Sequence, residues 1–338
     1  MPVCSRRQFG GGLITIAAAG CPASAGVVRR TALRKDFEPG YLKMEKAGLL
    51  EERIAGLKEI YRACRLCPRA CGANRAKGGT GVCQSTARLR VYSAHAHFGE
   101  ERSLVARGGS GTVFFSRCNL LCIFCQNWEI NHRGDGSWVS EDELARMMLS
   151  LQRDGCENIN LVTPTHFVPS IIAGVRTAMQ RGLRLPLVYN CGGYEPVEVI
   201  RMLRGIVDIY LPDYKYMDGE TSARLSSGAS DYPERAAESI VEMNSQVGEP
   251  VLDERGAALR GMIVRHLVLP ENLSGTDRFV KWVASSLGPR TAVNIMSQYR
   301  PAHQANRIKA LSRRITREEE SRALGWAREA GLLSVDGS

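Results

Sequence analysis

Six short apolar runs separated by helix-like segments constrain the fold more than any other feature of this chain. They cover residues 112–115, 159–162, 185–189, 207–211, 262–269 and 292–295. Each run has the length of a buried strand, and all but the last are rich in Val, Ile, Leu or aromatic residues. Strands joined by helical crossovers pair in parallel with right-handed connections. The pattern predicts an α/β fold whose sheet is a closed or partial barrel, or an open doubly wound sheet.

The segments between and after these runs carry the start residues of helices. Ser140 with Glu143, and Thr316 with Glu319, have the spacing of capping boxes, in which each residue bonds to the backbone N–H of the other. Pro169 stands where the first turn of a helix tolerates proline. These signals predict two crossover helices and one exposed C-terminal helix.

Cysteine usage is the most informative part of the composition. The chain has 11 cysteines, and most of them fall within residues 64–125. A long chain patterned for helices and strands is not a disulfide scaffold, so clustered thiols indicate metal ligands. Cys156 and Cys191 stand alone, and we interpret them as buried structural thiols.

The first chemically informative group is Cys118, Cys122 and Cys125, which follows directly on the first predicted strand. Three thiolates can ligate three irons of a cubane cluster and leave the fourth iron without a protein ligand. An open metal position accepts an external molecule, whereas a structural zinc site needs four ligands. The loop after a strand of a parallel barrel also faces the active site. The spacing therefore predicts a reactive metal centre.

This loop resembles that of the radical S-adenosylmethionine (SAM) superfamily, which has an aromatic residue, here Phe124, just before the last cysteine. The resemblance implies a partial (β/α)6 TIM-like barrel with an N-terminal cysteine-rich extension. It implies a 4Fe–4S cluster whose open iron binds SAM, and reductive cleavage of SAM to a 5′-deoxyadenosyl radical that abstracts hydrogen from a substrate. It also implies a low-potential electron donor of the flavodoxin or ferredoxin type. The substrate stays unknown.

A narrower resemblance, over most of residues 60–303, is to the PflX-type relatives of pyruvate formate-lyase activating enzyme. It makes a glycyl-radical protein one candidate substrate. It implies that Asp213 and Lys215 end the fourth strand near SAM and that Arg265 meets the SAM carboxylate. Glycines after the third strand would let the backbone approach SAM closely. The SAM-binding set implied by the resemblance is Asn190, Gly192, Gly193, Asp213, Lys215 and Arg265.

The chain departs from the family pattern at two places. Residues 163–166 stand where many members carry two glycines and a glutamate that grip the SAM amine, so that contact is unassigned. His166 either contacts the ligand or bonds to the backbone at a strand end, and His266 and His303 are weaker candidates of the same kind. Arg117 stands where relatives usually carry glycine.

The second group of thiols follows an amphipathic helical pattern over residues 45–61 and is interleaved with glycines. Four thiolates on glycine-rich turns make a closed site, either structural zinc or a second iron–sulfur cluster. Spacing does not choose between the metals, and we favour a structural staple over an electron relay. The four residues are Cys64, Cys67, Cys71 and Cys83.

The composition and the N-terminal residues limit where the protein can be located and what it can bind. Arg6 and Arg7 precede a mildly apolar stretch and small residues, which resembles a twin-arginine export signal; the alternative is a cytoplasmic protein with an N-terminal tail. The net charge of +10 is spread along the chain without a basic block, so we expect no nucleic-acid partner. Beyond the N-terminus there is no apolar run of membrane-spanning length, so we expect no membrane span.

These observations divide the chain into four parts. They are a signal segment at 1–25, an N-terminal helix with the four-cysteine region at 26–105, the barrel at 106–305 and a C-terminal helical extension at 306–338. The competing hypothesis from another functional class is a non-catalytic iron–sulfur or zinc protein, serving as an electron carrier or scaffold. Only the enzyme would produce 5′-deoxyadenosine.

Overall fold

The computed structural model describes residues 30–337, so the signal segment predicted at 1–25 lies outside the described residues. The strands are β1 (Arg30–Thr31), β2 (Leu89–His97), β3 (Ser110–Phe115), β4 (Ser137–Val139), β5 (Ile159–Val162), β6 (Leu187–Cys191), β7 (Ile209–Pro212), β8 (Val251–Leu252), β9 (Ala258–Leu267), β10 (Ala292–Met296) and β11 (Val335–Gly337). The α-helices are α1 (Gly40–Lys46), α2 (Leu50–Glu59), α3 (Arg102–Val105), α4 (Glu141–Arg153), α5 (Val168–Gln180), α6 (Val197–Met202), α7 (Gly219–Leu225), α8 (Tyr232–Val247), α9 (Thr276–Ser286) and α10 (Arg317–Glu329).

The sheet is built on parallel strands in the order β3-β5-β6-β7-β9-β10. Each of the predicted apolar runs forms one of these strands. Helices fill most of the crossovers between them, including α4 and α5 between β3 and β6. The fold is therefore α/β with a mostly parallel sheet, as predicted, and it is compatible with a partial (β/α)6 barrel.

Two helices begin at the capping residues that the sequence predicts. Ser140 Oγ accepts from the Glu143 N–H at 3.1 Å, and the Ser140 N–H donates to Glu143 Oε2 at 2.7 Å, which completes the capping box of α4. Such a cap is worth about 1 kcal/mol. Thr316 and Glu319 form the same box at α10. Pro169 lies in the first turn of α5.

Two parts of the chain differ from the sequence expectation. The helix predicted over residues 45–61 is interrupted, because Gly48 adopts a left-handed φ of 72° between α1 and α2. Strand β2, which the apolar pattern does not mark, pairs antiparallel with β3 and with β4. The sheet therefore takes in a strand that precedes residue 106.

The alternation of side chains along the strands determines which residues face the inside of the sheet. In β6, β7 and β9 the residues at every second position face the same side, because side chains alternate along a strand. Apolar residues on this inner side form a small core of their own, separate from the larger core under the helices. Val188, Ile209, Leu211 and Ile263 belong to it. The next inward positions toward the strand ends carry polar side chains. Among residues 30–337, no helix is both long and apolar enough to cross a bilayer.

Candidate active site

A cavity of about 260 Å³ opens at the C-terminal ends of the parallel strands. The loop after β3 contributes thiols to its wall, and β6, β7 and β9 contribute polar side chains at or just beyond their ends. The predicted site residues that line it are Cys118, Cys122, Cys125, Asn190, Gly192, Asp213, Lys215 and Arg265. Leu120, Phe124, Leu267 and Met296 add apolar wall. The fold thus brings residues from distant parts of the chain to one space.

Each sulfur of the three-cysteine loop has a polar group within hydrogen-bond distance. Ser226 Oγ lies 3.1 Å from Cys122 Sγ, and Asn131 Nδ2 donates to Cys125 Sγ at 3.3 Å. The Leu120 N–H donates to Cys118 Sγ at 3.4 Å. Hydrogen bonds of this kind stabilise sulfur ligands of iron–sulfur clusters and tune their reduction potentials.

The thiols are close enough to influence one another. Burial, with a smaller contribution from the nearby Cys122, raises the pKa of the Cys118 thiol to about 12. Burial and then Cys122 also raise the pKa of Cys125. Metal coordination deprotonates such thiols, since the cation replaces the proton. The donor set therefore fits a cluster that binds through three thiolates.

Asp213 is the centre of the charged network in the cavity. Its carboxylate accepts from Lys215 Nζ at 2.5 Å and from Arg265 Nε at 2.8 Å. Burial alone would raise the pKa of Asp213, but Arg265 and Lys215 outweigh it and hold the pKa below its usual value. Burial would lower the pKa of Lys215, yet Asp213 and then Cys122 raise it. The ammonium of Lys215 is therefore placed to balance negative charge on the cysteine loop.

Arg265 is held by more partners than the sequence suggested. Its guanidinium donates to Asn190 Oδ1 at 2.6 Å and lies 3.4 Å from Glu100 Oε2. Burial raises the pKa of Glu100 to about 7, against the attraction of Arg265. The neighbouring Glu101 accepts from Asn294 Nδ2 at 3.0 Å. Sequence reasoning missed both glutamates, because nothing in the loop after β2 marks them.

Gly193 of the implied SAM-binding set and the separate candidate His166 are not among the residues that line the cavity. His166 is buried behind the cysteine loop, and its Nε2 lies 2.8 Å from the Ser116 carbonyl oxygen, which matches the backbone-bonded alternative. Burial lowers the pKa of His166 to about 3. Gly193 has a φ of 78°, and a Cβ there would lie 2.1 Å from the Asp213 carbonyl oxygen. The glycine is required by the packing of its own turn.

The weaker histidine candidates also lie outside the cavity wall. His266 Nδ1 lies 2.6 Å from the Tyr214 carbonyl oxygen, and Nε2 lies 3.0 Å from Thr276 Oγ1. His303 stacks on Trp128 with ring centroids 5.4 Å apart, beside the cysteine loop. Both rings have local structural partners.

The backbone conformation at Arg117 explains why relatives usually carry glycine at this position. Its φ is 77°, in the left-handed region that favours glycine, and a non-glycine residue there costs about 1–2 kcal/mol. The Arg117 N–H donates to the Ile130 carbonyl at 3.0 Å, and the guanidinium donates to the His132 carbonyl. These bonds offset the strain and close the cysteine loop from behind.

The four-cysteine segment, residues 64–83, forms a second group of thiols. Cys64, Cys67 and Cys83 are buried, and Cys71 is exposed. Burial raises the pKa of Cys67, and the nearby Cys83 and Cys64 raise it further. A Cβ on Gly81 would lie 2.2 Å from Cys71 Sγ, so glycine lets the chain pass the fourth thiol. The fold therefore gathers the four side chains in one region.

Neither group of thiols is arranged around a single point. Within residues 30–337, no three His, Cys, Asp or Glu side chains are positioned to share one metal ion. A cubane cluster distributes its cysteine ligands over separate irons, whereas a zinc ion draws all four ligands to itself. The three thiols of the cysteine loop line one cavity, so a cluster in it could take one iron ligand from each.

Comparisons with known proteins agree with this geometry. Residues 112–247 match the radical SAM superfamily. An uncharacterized protein of Methanocaldococcus jannaschii is 31% identical over 308 residues, which cover 88% of this chain and 83% of that protein. The chain belongs to the radical SAM superfamily, whose members are enzymes that typically use a 4Fe–4S cluster and SAM. Neither match reaches the narrower resemblance to activating enzymes, which stays a prediction.

Proposed function

We propose that the protein cleaves SAM reductively at a 4Fe–4S cluster held by Cys118, Cys122 and Cys125, and that the resulting 5′-deoxyadenosyl radical abstracts hydrogen from a substrate. One observation carries the proposal: these three thiols line the same cavity as Asp213 and Arg265. When bound, the cluster would supply the electron that breaks a carbon–sulfur bond of SAM. The protein supplies binding, orientation and charge.

The residues around the cavity suit the zwitterionic methionyl part of SAM. The guanidinium of Arg265 is oriented by Asp213 and Asn190 and can pair with a carboxylate. Its longest contact, 3.4 Å to Glu100, is the one most easily exchanged. The oxygens of Asp213 and Asn190 are acceptors for an ammonium group. The apolar wall, which includes Leu267, excludes water from the reacting bond.

The narrower parts of the proposal rest on sequence resemblance. A radical SAM enzyme needs a reductant, and we propose a low-potential donor of the flavodoxin or ferredoxin type. We propose a glycyl-radical protein as the candidate substrate, supported by the Asp213 and Lys215 pair after β7. Arg6 and Arg7 support export by a twin-arginine route. N-terminal sequencing of protein from the native host tests export, because a cleaved chain would no longer begin at Met1.

We also propose that Cys64, Cys67, Cys71 and Cys83 hold a second metal centre, either zinc or an iron–sulfur cluster. The burial of three of the thiols together supports a closed site. Elemental analysis combined with Mössbauer spectroscopy distinguishes the two metals. A preparation with full iron occupancy of the reaction site and no further zinc or iron would contradict the second centre.

The test of the main proposal is anaerobic reconstitution of the full chain with iron and sulfide, followed by a strong reductant and SAM. We expect 5′-deoxyadenosine and methionine in equal amounts. Cys122→Ala should abolish the product, because the cluster loses one of its three ligands. Cys156→Ala is the matched control, since Cys156 is buried just before the start of β5, at the opposite end of that strand from the cavity, and should leave turnover unchanged.

The same experiment separates the enzyme from the electron carrier. A reconstituted, reducible protein that never forms 5′-deoxyadenosine would support a carrier or scaffold. Product formation by Cys122→Ala at the rate of the unaltered protein would show that the cluster is held elsewhere.

A further inference from the structure

Arg69 in the four-cysteine segment reaches out of that segment to two other loops. Its Nε donates to the Asn119 carbonyl at 3.1 Å, and its two terminal nitrogens donate to the Ser227 carbonyl at 2.7 Å and the Ser226 carbonyl at 2.9 Å. Its guanidinium also lies over the Tyr194 ring at 5.5 Å. Only arginine offers several donors in one fixed plane, so this contact depends on the residue type.

The carbonyls that Arg69 holds belong to the surroundings of the reaction-site cysteines. Asn119 directly follows Cys118 in the chain. The hydroxyl of Ser226 lies 3.1 Å from Cys122 Sγ, and Ser226 is fully buried. Tyr216 contacts the same hydroxyl at 2.9 Å. One side chain therefore fixes both the cysteine loop and a hydroxyl that touches one of its sulfurs.

The position of Arg69 is in turn set by a tight backbone turn between two of the thiols. Cys67 precedes it by two residues and Cys71 follows it by two. The turn between them is tight, because the Ala70 N–H donates to the Cys67 carbonyl at 3.0 Å and Ala70 has a φ of 39°. Within this turn, the Arg69 side chain extends from the segment to the Asn119 and Ser226 carbonyls.

We propose that the four-cysteine segment is a clamp on the reaction site, in which Arg69 is the positioning residue that sets the hydrogen bonding of the cysteine loop. This inference rests on the proposed function, since it concerns the cluster of that same site. It assigns the second cysteine group a role in tuning the first.

Arg69→Ala and Arg69→Lys test the clamp in the reconstituted full chain, with Arg65→Ala as the matched control. Arg65 is an exposed arginine of the same segment. The readouts are iron content, the change in the electron paramagnetic resonance spectrum on adding SAM, the reduction potential and the rate of 5′-deoxyadenosine formation. Both Arg69 variants should keep the iron, alter the spectrum and potential, and slow product formation by about tenfold or more, as loss of partners behind metal ligands does.

A second measurement keeps the clamp testable if Arg69→Ala folds poorly. Ser226→Ala keeps its carbonyl and removes only the hydroxyl, so it should change the spectrum without loss of the second metal. The double variant that combines Ser226→Ala with Arg69→Lys should be no slower than the slower single variant, because both changes break one path.

The outcomes separate the two proposals. An unaltered protein that forms no SAM-responsive cluster overturns the proposed function itself. A normal unaltered protein whose Arg69→Lys variant matches Arg65→Ala in spectrum and potential overturns only the clamp. Multiplicative rate losses in the Ser226→Ala and Arg69→Lys double variant would overturn it as well, since they would indicate independent effects.

Discussion

The two cysteine groups differ in what shares the space around their sulfurs. The three-cysteine loop opens onto a cavity with the charged network of Asp213, Lys215 and Arg265. Three of the four thiols of the four-cysteine segment are buried, and a terminal nitrogen of Arg75 lies 3.8 Å from Cys64 Sγ. The number of thiols separates an open centre from a closed one. The neighbouring charges indicate which centre has room for a zwitterionic cosubstrate.

The largest effect is expected from removing the three-cysteine loop's ligands together. The triple variant Cys118→Ala, Cys122→Ala, Cys125→Ala should lose SAM cleavage to the background of the assay, because no thiolate remains to hold the cluster. The metal of the four-cysteine segment should persist, as measured by elemental analysis. Loss of all metal from this variant would contradict the distinction between the two cysteine groups, since it would indicate that they form one metal site.

Asp213→Asn tests whether charge distinguishes the two groups. The change leaves Lys215 and Arg265 as buried cations without their shared carboxylate, which costs about 3–5 kcal/mol of stability. Urea unfolding should show this loss, and SAM binding should weaken with it. Asp154→Asn, at an exposed site, is the control and should change little. An unfolding free energy equal to that of the unaltered protein would contradict the charge network.

Much of the fold follows from local pattern. The strands could be predicted because each is a continuous apolar run, and the capping box at Ser140 needs only neighbouring residues. The sequence also predicts that residues at the carboxyl ends of the strands lie close together, because parallel strands end at the same edge of a sheet. Asp213 and Arg265 were named from the family resemblance, and both line the cavity.

The remaining features depend on tertiary contacts with no period in the sequence. Strand β2 carries polar and charged side chains where a buried strand would carry apolar ones, so its pairing with β3 leaves no local signal. Glu100 reaches Arg265, and Ser226 reaches Cys122, across more than 100 residues of chain. The sequence left two roles open for His166, because a histidine at a strand end can contact a ligand or bond to the backbone. Its packing in the folded chain decides between them.

Gly81→Ala tests the proposed metal site of the four-cysteine segment without removing a thiol. The added Cβ would lie 2.2 Å from Cys71 Sγ, so the loop must shift, at a cost of about 1–3 kcal/mol. We expect loss of the second metal with SAM cleavage reduced but present. Gly72→Ala is the control, because its Cβ meets nothing within 4 Å and only its φ of 67° is unfavourable. Full metal content in Gly81→Ala would indicate that Cys71 is not a ligand.

The smallest effect concerns His166, which lies between the two groups: its Nε2 contacts the Ser116 carbonyl, and Arg75 and Arg117 act on it electrostatically. Because burial lowers its pKa from 6.5 to about 3, the unfolded chain takes up a proton below pH 6.5 that the folded chain does not. Stability is therefore lost as pH falls from 6.5 toward 3, by at most about 1.4 kcal/mol per pH unit.

His166→Gln should remove this pH dependence in urea unfolding measured between pH 7.5 and pH 5.5. His266→Gln is the matched comparison, because burial lowers the pKa of His266 to about 4 and its ring packs on Phe279, on the side of β9 opposite to the cavity-lining Arg265. Both variants should flatten the stability profile, but only His166→Gln should also alter the spectrum of the reaction-site cluster. If both variants altered it equally, the region between the two groups would have no special connection to either.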